Sequence, residues 1–161
     1  ISPALSKAVI ASEDQRFCTH WGVDFIELQS VLSDRGGPSR GASTISMQVA
    51  KNLYLWPGRS YIRKALELPL ALLIDLLWGK KRIMEIYLNI AEWGRGIFGA
   101  EAAAQFYFKK PASELTNDEA ARLAASLPNP IRRNPTRIGG SAARVAEKSA
   151  GITSETACLS W

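Results

Sequence analysis

Residues 60–90 read SYIRKALELPLALLIDLLWGKKRIMEIYLNI, and the fold class turns on them. A serine ahead of a run of good helix formers is a capping signal, so Ser60 opens a long helix reaching about Trp78. Pro69 lies inside that run. It lacks an N–H and crowds the carbonyl four residues back, which predicts a kink or a break. A second helix follows over residues 80–89, with Ile83, Ile86 and Tyr87 at core spacing. The apolar part, residues 65–78, is interrupted by Glu67, Pro69 and Asp75 and is too short and too charged to span a bilayer. It can lie against one, and residues 70–77 suit lipid or neighbouring helices about equally.

The same helical signals recur on both sides. Ser2-Pro3 is an N-cap with proline at the first helical position, ahead of Leu5, Ala8 and Val9. Asp24 to Glu27 has capping-box spacing before Leu28, Val31 and Leu32. Residues 35–41 (RGGPSRG) read as a mobile loop, after which Ser43 and Thr44 cap a helix carrying Ile45, Val49 and Leu53. Gly94, Gly96 and Gly99 punctuate the link to an alanine-rich helix over residues 100–108. Thr116 to Glu119 is a second capping box, before a helix that stops at Pro128. Beyond Pro130 the packing signal fades. No strand pair, hairpin dipeptide or repeat is visible, so the chain reads as mainly α.

The chain has 161 residues, 47% apolar and 22% charged, which suits one globular domain and excludes a disordered or fibrous chain. Lys and Arg total 20 against 15 Asp and Glu, a net +5 that favours an anionic partner. One histidine, His20, and two cysteines leave too few ligands for a His/Cys zinc site. Ile1 is not a methionine and directly precedes a helix start, so a longer natural protein is expected.

Four segments carry more polar residues than a helical core explains. The first is Glu13-Asp14 with Phe17, His20 and Gly22; adjacent carboxylates at a helix end are ordinarily just solvated. The second runs from Gly41 through Ser43, Thr44, Ile45 and Gln48, with Lys51 and Asn52 on the face of Gln48. The third is Arg59, Arg63, Lys64 and Glu67, where Arg63 and Glu67 have the spacing of a plain helical ion pair. The fourth is Lys80 with Glu85, Tyr87 and Asn89.

In this order and spacing the segments resemble the peptidoglycan glycosyltransferases of glycosyltransferase family 51, and most closely its monofunctional biosynthetic transglycosylases. The family pattern EDxxFxxHxG is met by Glu13, Asp14, Phe17, His20 and Gly22. GxSTIxQQ is met by Gly41, Ser43, Thr44, Ile45 and Gln48, with Met47 replacing the first glutamine. RKxxE is Arg63, Lys64 and Glu67. KxxILExYLN is Lys80, Ile83, Glu85, Tyr87, Leu88 and Asn89, with Met84 at the usual leucine. A weaker fifth block lies around residues 122–127, and the likeness covers residues 1–135.

The resemblance implies a lysozyme-like bilobal glycosyltransferase domain over residues 1–138, with residues 139–161 docked on it as a tail. It implies polymerisation of lipid II onto a growing glycan chain, with inversion at the donor anomeric carbon and loss of undecaprenyl pyrophosphate. A sugar hydroxyl is a poor nucleophile, so a carboxylate must take its proton; Glu13 matches that base. The leaving pyrophosphate needs fixed positive charge, and Lys51, Arg59, Arg63 and Lys64 match that set. Glu67 matches a second acid that orients the cations, binds a metal or touches sugar. Gln48, Ser43 and Thr44 line the substrate site, and Asp14, Phe17, His20, Asn52, Glu85, Tyr87 and Asn89 support it. For His20, Tyr87 and Asn89 an architectural role is the simpler reading. The motifs fix no cofactor, and a divalent metal, Mg or Mn, is compatible with them.

The family's catalytic domain faces the periplasm from the inner membrane, behind an N-terminal transmembrane helix. Membrane lipid and other cell-wall synthesis proteins are therefore the expected partners, and nucleic acid is not, since no reading motif is present. The compartment is oxidising, which favours pairing of Cys18 with Cys158 across a loop of about 140 residues. Two other functions fit parts of the pattern. A lysozyme-like hydrolase or lytic transglycosylase also uses a glutamate in an α-rich fold, but has no pyrophosphate for the basic set to hold. An inactive membrane-associated peptidoglycan-binding module has no use for Glu13 and Glu67 together.

Overall fold

The computed structural model describes residues 2–33, 42–152 and 156–159. The glycine-rich segment 35–41, Gly41 of the second block included, lies outside them. Seven α-helices carry the described residues: α1 Pro3–Glu13, α2 Phe25–Ser33, α3 Ile45–Tyr54, α4 Tyr61–Ile90, α5 Ala100–Phe108, α6 Asn117–Ser126 and α7 Gly139–Gly151. Their starts follow from the caps. Ser2 Oγ accepts from Ala4 N, and Asp24 Oδ1 from the N–H groups of Ile26 and Glu27. Thr44 Oγ1 accepts from Met47 N and Ser60 Oγ from Arg63 N, while Thr116 and Glu119 form a reciprocal capping box. Each of these satisfies a donor that a first helical turn leaves unpaired.

The break in α4 falls at Gly79, whose φ of 72° no helix contains, and the helical dihedrals continue through Pro69. The carbonyl that Pro69 deprives of a donor belongs to Ala65, an exposed residue, where solvent can take the place of the missing N–H. A short antiparallel ribbon, β1 Glu92–Gly94 with β2 Ile97–Phe98, corrects the expectation of no strand pair. Strands of three and two residues are too short for alternation to show in a sequence.

α1, α6 and α7 pack together and α3 packs along α4. Both groups feed one core, with Leu5 and Val9 of α1, Val49 of α3, Ile83 and Tyr87 of α4, and Leu123 of α6 at 0–1% exposure. The resulting architecture is mainly α and lysozyme-like. A small second cluster, Val23, Met47 and Ala71, ties the loop after α1 to α3 and α4. α2 buries no residue: Leu28 and Val31 are half-buried, and Leu32 is exposed. Helix α7 exists although its sequence carries little core signal, because Ala142 and Val145 are buried against the α1–α6 layer. Cys18 and Cys158 form a disulfide, with Cα atoms 5.5 Å apart, and Leu159 beside it is buried.

Candidate active site

The adjacent carboxylates at the end of α1 do different work. Glu13 is its last residue, and Gln48 Nε2 of α3 donates to Glu13 Oε2 at 3.0 Å. Gln48 Oε1 accepts from the Tyr87 hydroxyl of α4 at 3.2 Å, so a Tyr87–Gln48–Glu13 chain fixes the amide orientation. On the other side, Ser12 Oγ lies 3.3 Å from Glu13 Oε1 and 3.1 Å from the Ala124 carbonyl, its single proton serving one or the other. Burial raises the Glu13 pKa above the usual carboxylate range; the bonds from Gln48 and Ser12 and the charge of Arg133 oppose it, and Asp14 adds to it. Burial, with the nearby Glu13 and Asp14 charges, lifts the Tyr87 pKa well above its ordinary value, so Tyr87 stays a donor.

Asp14 turns into the scaffold. Its carboxylate accepts from Ile45 N at the start of α3 and lies 2.9 and 3.0 Å from His20 Nε2. The negative charge therefore sits at the positive end of α3. His20 is buried and packs edge-on to Phe17, and Lys80 Nζ sits 4.7 Å above the Phe17 ring. Burial lowers the Lys80 pKa, and its bond to Asp75 works against that shift.

Asp75 is the junction of the first, second and fourth sequence blocks. It accepts from Gly22 N at 2.6 Å, Ser46 Oγ at 3.0 Å and Lys80 Nζ at 2.6 Å, and it is 4% exposed. Gly22 is required there. A Cβ at that position would sit 2.5 Å from the Ala71 carbonyl oxygen, and its φ is +67°. Thr44 Oγ1 donates to the Gly22 carbonyl, closing the same junction.

The third block forms its own cluster. Glu67 is 3% exposed and accepts from Lys64 Nζ at 2.9 Å. Arg63 Nε lies 3.3 Å from its other oxygen as an ion pair without hydrogen-bond alignment. Lys64 Nζ also donates to Ser43 Oγ at 2.6 Å. Helix α3 thus links the two acids, since Ser43 precedes it and Gln48 lies within it. Lys51 is half-buried on α3, Asn52 is exposed beside it, and Arg59 is exposed just before α4. Glu85 and Asn89 stay on their own helix: Glu85 pairs with Arg82 at 2.7 Å, and Asn89 Nδ2 donates to the Glu85 carbonyl.

Asp75, Ser12, Ser46 and Arg133 carry contacts that the sequence motifs omit. Asp75 had one readable signal, a lone acid inside an apolar run, since a buried charge needs a partner. Among the described residues, Asp14, His20 and Asp24 bring ligand atoms within 4.8 Å of one another. They do not fit a metal. Asp14 is engaged by Ile45 N and His20, while Asp24 caps α2 and pairs with Arg16 Nε at 3.1 Å. Glu67 is likewise taken by two cations.

The family model described as Transglycosylase matches residues 1–155. A biosynthetic peptidoglycan transglycosylase of Brucella suis is 58% identical over 153 residues, covering 94% of this chain and 68% of that protein. Its namesake in Agrobacterium fabrum is 58% identical over 148 residues, covering 91% of this chain and 66% of that protein. A third, from Pasteurella multocida, is 62% identical over 133 residues, or 81% of this chain and 54% of that protein. A match of this length, on a mainly helical fold in which Gln48 and Ser43 connect Glu13 and the Lys64–Glu67 pair through α3, means that the chain belongs to the transglycosylase family.

Proposed function

We propose that this peptidoglycan transglycosylase polymerises lipid II into glycan strands, inverting the donor anomeric carbon and releasing undecaprenyl pyrophosphate. The acceptor 4-hydroxyl attacks C1 of the donor sugar while Glu13 takes the hydroxyl proton. The surroundings of Glu13 are what support this reading most. Burial brings its basicity toward the working pH, as a general base needs, and Gln48, backed by Tyr87, aims the carboxylate. As the C1–O bond to pyrophosphate breaks, negative charge grows on the leaving oxygens. Lys51, Arg59, Arg63 and Lys64 stabilise it, with Glu67 orienting Arg63 and Lys64. A hydrolase acting on finished glycan needs a water and no such basic set. Residues 1–138 then form the catalytic domain, with residues 139–161 as its docked tail.

The donor is a lipid, and the apolar surface of the chain fits that. Leu72, Leu73, Leu76 and Leu77 of α4 are 40–70% exposed. Phe25 and Ile26 of α2 are 62% and 60% exposed and share a cavity with Leu72. Contiguous exposed leucines and aromatics mark an interaction face, which we assign to the outer surface of the inner membrane. No helix among the described residues is long and apolar enough to cross a membrane. The test is to supply purified protein with lipid II and read glycan polymer on a gel, alongside Glu13→Gln. We expect polymer from the parent and a loss of about a hundredfold or more in the variant, with its fold intact. A folded variant of undiminished activity overturns the assignment.

A further inference from the structure

A cavity of about 250 Å³ opens where the C-terminal ends of α1 and α6 meet α7, and its wall includes Ser12, Ala125, Arg133, Ser141, Arg144 and Lys148. Three of its lining residues are cations and none is an acid. Arg144 and Lys148 stand four residues apart on α7, so two like charges share one helical face and repel. Among the described residues Arg144 Nη2 reaches Ser141 Oγ, at 3.5 Å. Among the described residues neither cation has a carboxylate partner. Arg133 Nη1 donates to the Ala125 carbonyl at 3.2 Å, which satisfies one carbonyl at the end of α6. Capping therefore explains one bond of one cation and leaves the concentration of charge unexplained.

The cavity abuts the proposed base. Ser12, on its wall, is the residue whose hydroxyl lies 3.3 Å from Glu13 Oε1, and the charge of Arg133 acts on Glu13. Gln48 occupies the Oε2 side. A group bound in the cavity would touch Ser12 and so lie one residue away from the acid.

We propose that this cavity binds the C-terminal carboxylate of the peptide carried by the glycan, and so holds the peptide-bearing sugar beside Glu13. The inference rests on the peptidoglycan transglycosylase reading, because peptidoglycan is a glycan bearing peptides and a free peptide ends in a carboxylate. The volume is below the roughly 300–1,000 Å³ of sites that enclose whole ligands, and it suits a chain end better than a disaccharide. An arginine fork accepts both oxygens of one carboxylate. Pyrophosphate is the competing anion, and a separate cation set on α3 and α4 and in the loop between them already serves it. Anchoring the peptide positions the sugar without touching the reacting atoms, so Arg144 and Lys148 act as positioning and specificity residues.

The test titrates the whole chain with three soluble probes by calorimetry. These are N-acetylmuramyl pentapeptide with a free C-terminus, the same compound as its C-terminal amide, and inorganic pyrophosphate. Each is run against the parent and the Arg144→Ala/Lys148→Ala variant; both residues are exposed, and circular dichroism checks the fold. We expect amidation and the double substitution each to weaken muramyl-peptide binding about tenfold or more, with pyrophosphate binding unchanged. Lys148→Arg alone keeps the charge and should hold affinity within about threefold. In polymerisation the double variant should raise KM for lipid II and leave kcat nearly unchanged. Equal binding of acid and amide, an unaffected double variant, or no binding to the parent overturns the proposal. Loss of pyrophosphate binding alone overturns it too, assigning the cavity to phosphate. A parent that binds the probes as expected but makes no polymer refutes the glycosyltransferase reading and supports the cavity assignment.

Discussion

Asp75→Ala removes the acceptor on which three sequence blocks converge, and the size of the loss follows from what it leaves behind. The carboxylate is 4% exposed and accepts from Gly22 N, Ser46 Oγ and Lys80 Nζ. Alanine strands the Lys80 ammonium, whose side chain is 12% exposed, with the Phe17 ring at 4.7 Å and the more distant charge of Asp14 to face it. Breaking a buried ion pair from one side costs about 3–5 kcal/mol. The orphaned Gly22 N–H adds about 1–3 kcal/mol unless water reaches it, and the two terms overlap. We take about 4 kcal/mol, a large share of the roughly 5–15 kcal/mol of a typical domain. With a urea slope of about 2 kcal/mol/M, the unfolding midpoint should fall by about 2 M. Asp75→Leu combined with Lys80→Met should recover at least about half of the loss, since an apolar pair strands no charge. A single-variant loss below about 1 kcal/mol would refute the argument that this junction holds the blocks together.

Because burial raises the Glu13 pKa, activity should fall on the acid side as the base protonates. Gln48→Ala, which removes a bond favouring the carboxylate, should move that acid limb of kcat/KM to higher pH; a limb that stays or moves lower refutes the chain. The same shift makes the charged form a cost to the fold above the unfolded pKa. Glu13→Gln should therefore unfold at a higher temperature than the parent at neutral pH, an advantage lost as pH falls through the folded pKa, and equal melting at neutral pH would count against it. Lys51→Ala and Arg59→Ala should each cut polymerisation about tenfold or more, while stability changes by less than about 0.5 kcal/mol. Normal rates in both would move leaving-group stabilisation elsewhere. Reducing Cys18–Cys158 opens a loop of sequence separation 140, worth about 5 kcal/mol in the chain-entropy view. A urea midpoint that ignores reductant refutes that figure.

Much of this molecule was legible without coordinates, because its signals are local. Ser2, Asp24, Thr44, Ser60 and Thr116 were readable as caps since each bonds an N–H two or three residues on. Gln48, Lys51 and Asn52 were readable as one face because helical spacing alone puts them there. The ordered blocks named Glu13 and Glu67 before any fold was known. What the sequence left open depends on partners far along the chain. Gln48 meets Glu13 across 35 residues, Asp75 meets Ser46 across 29 and Gly22 across 53, and no spacing rule reaches that far. Only packing decided that Glu13 turns to Gln48 and Ser12 while Asp14 turns to Ile45 and His20, as each carboxylate goes where donors await it. Helix α7 was hidden for the same reason. Its few buried side chains suffice only because α1 and α6 present a surface to them, and that surface exists only in the folded protein.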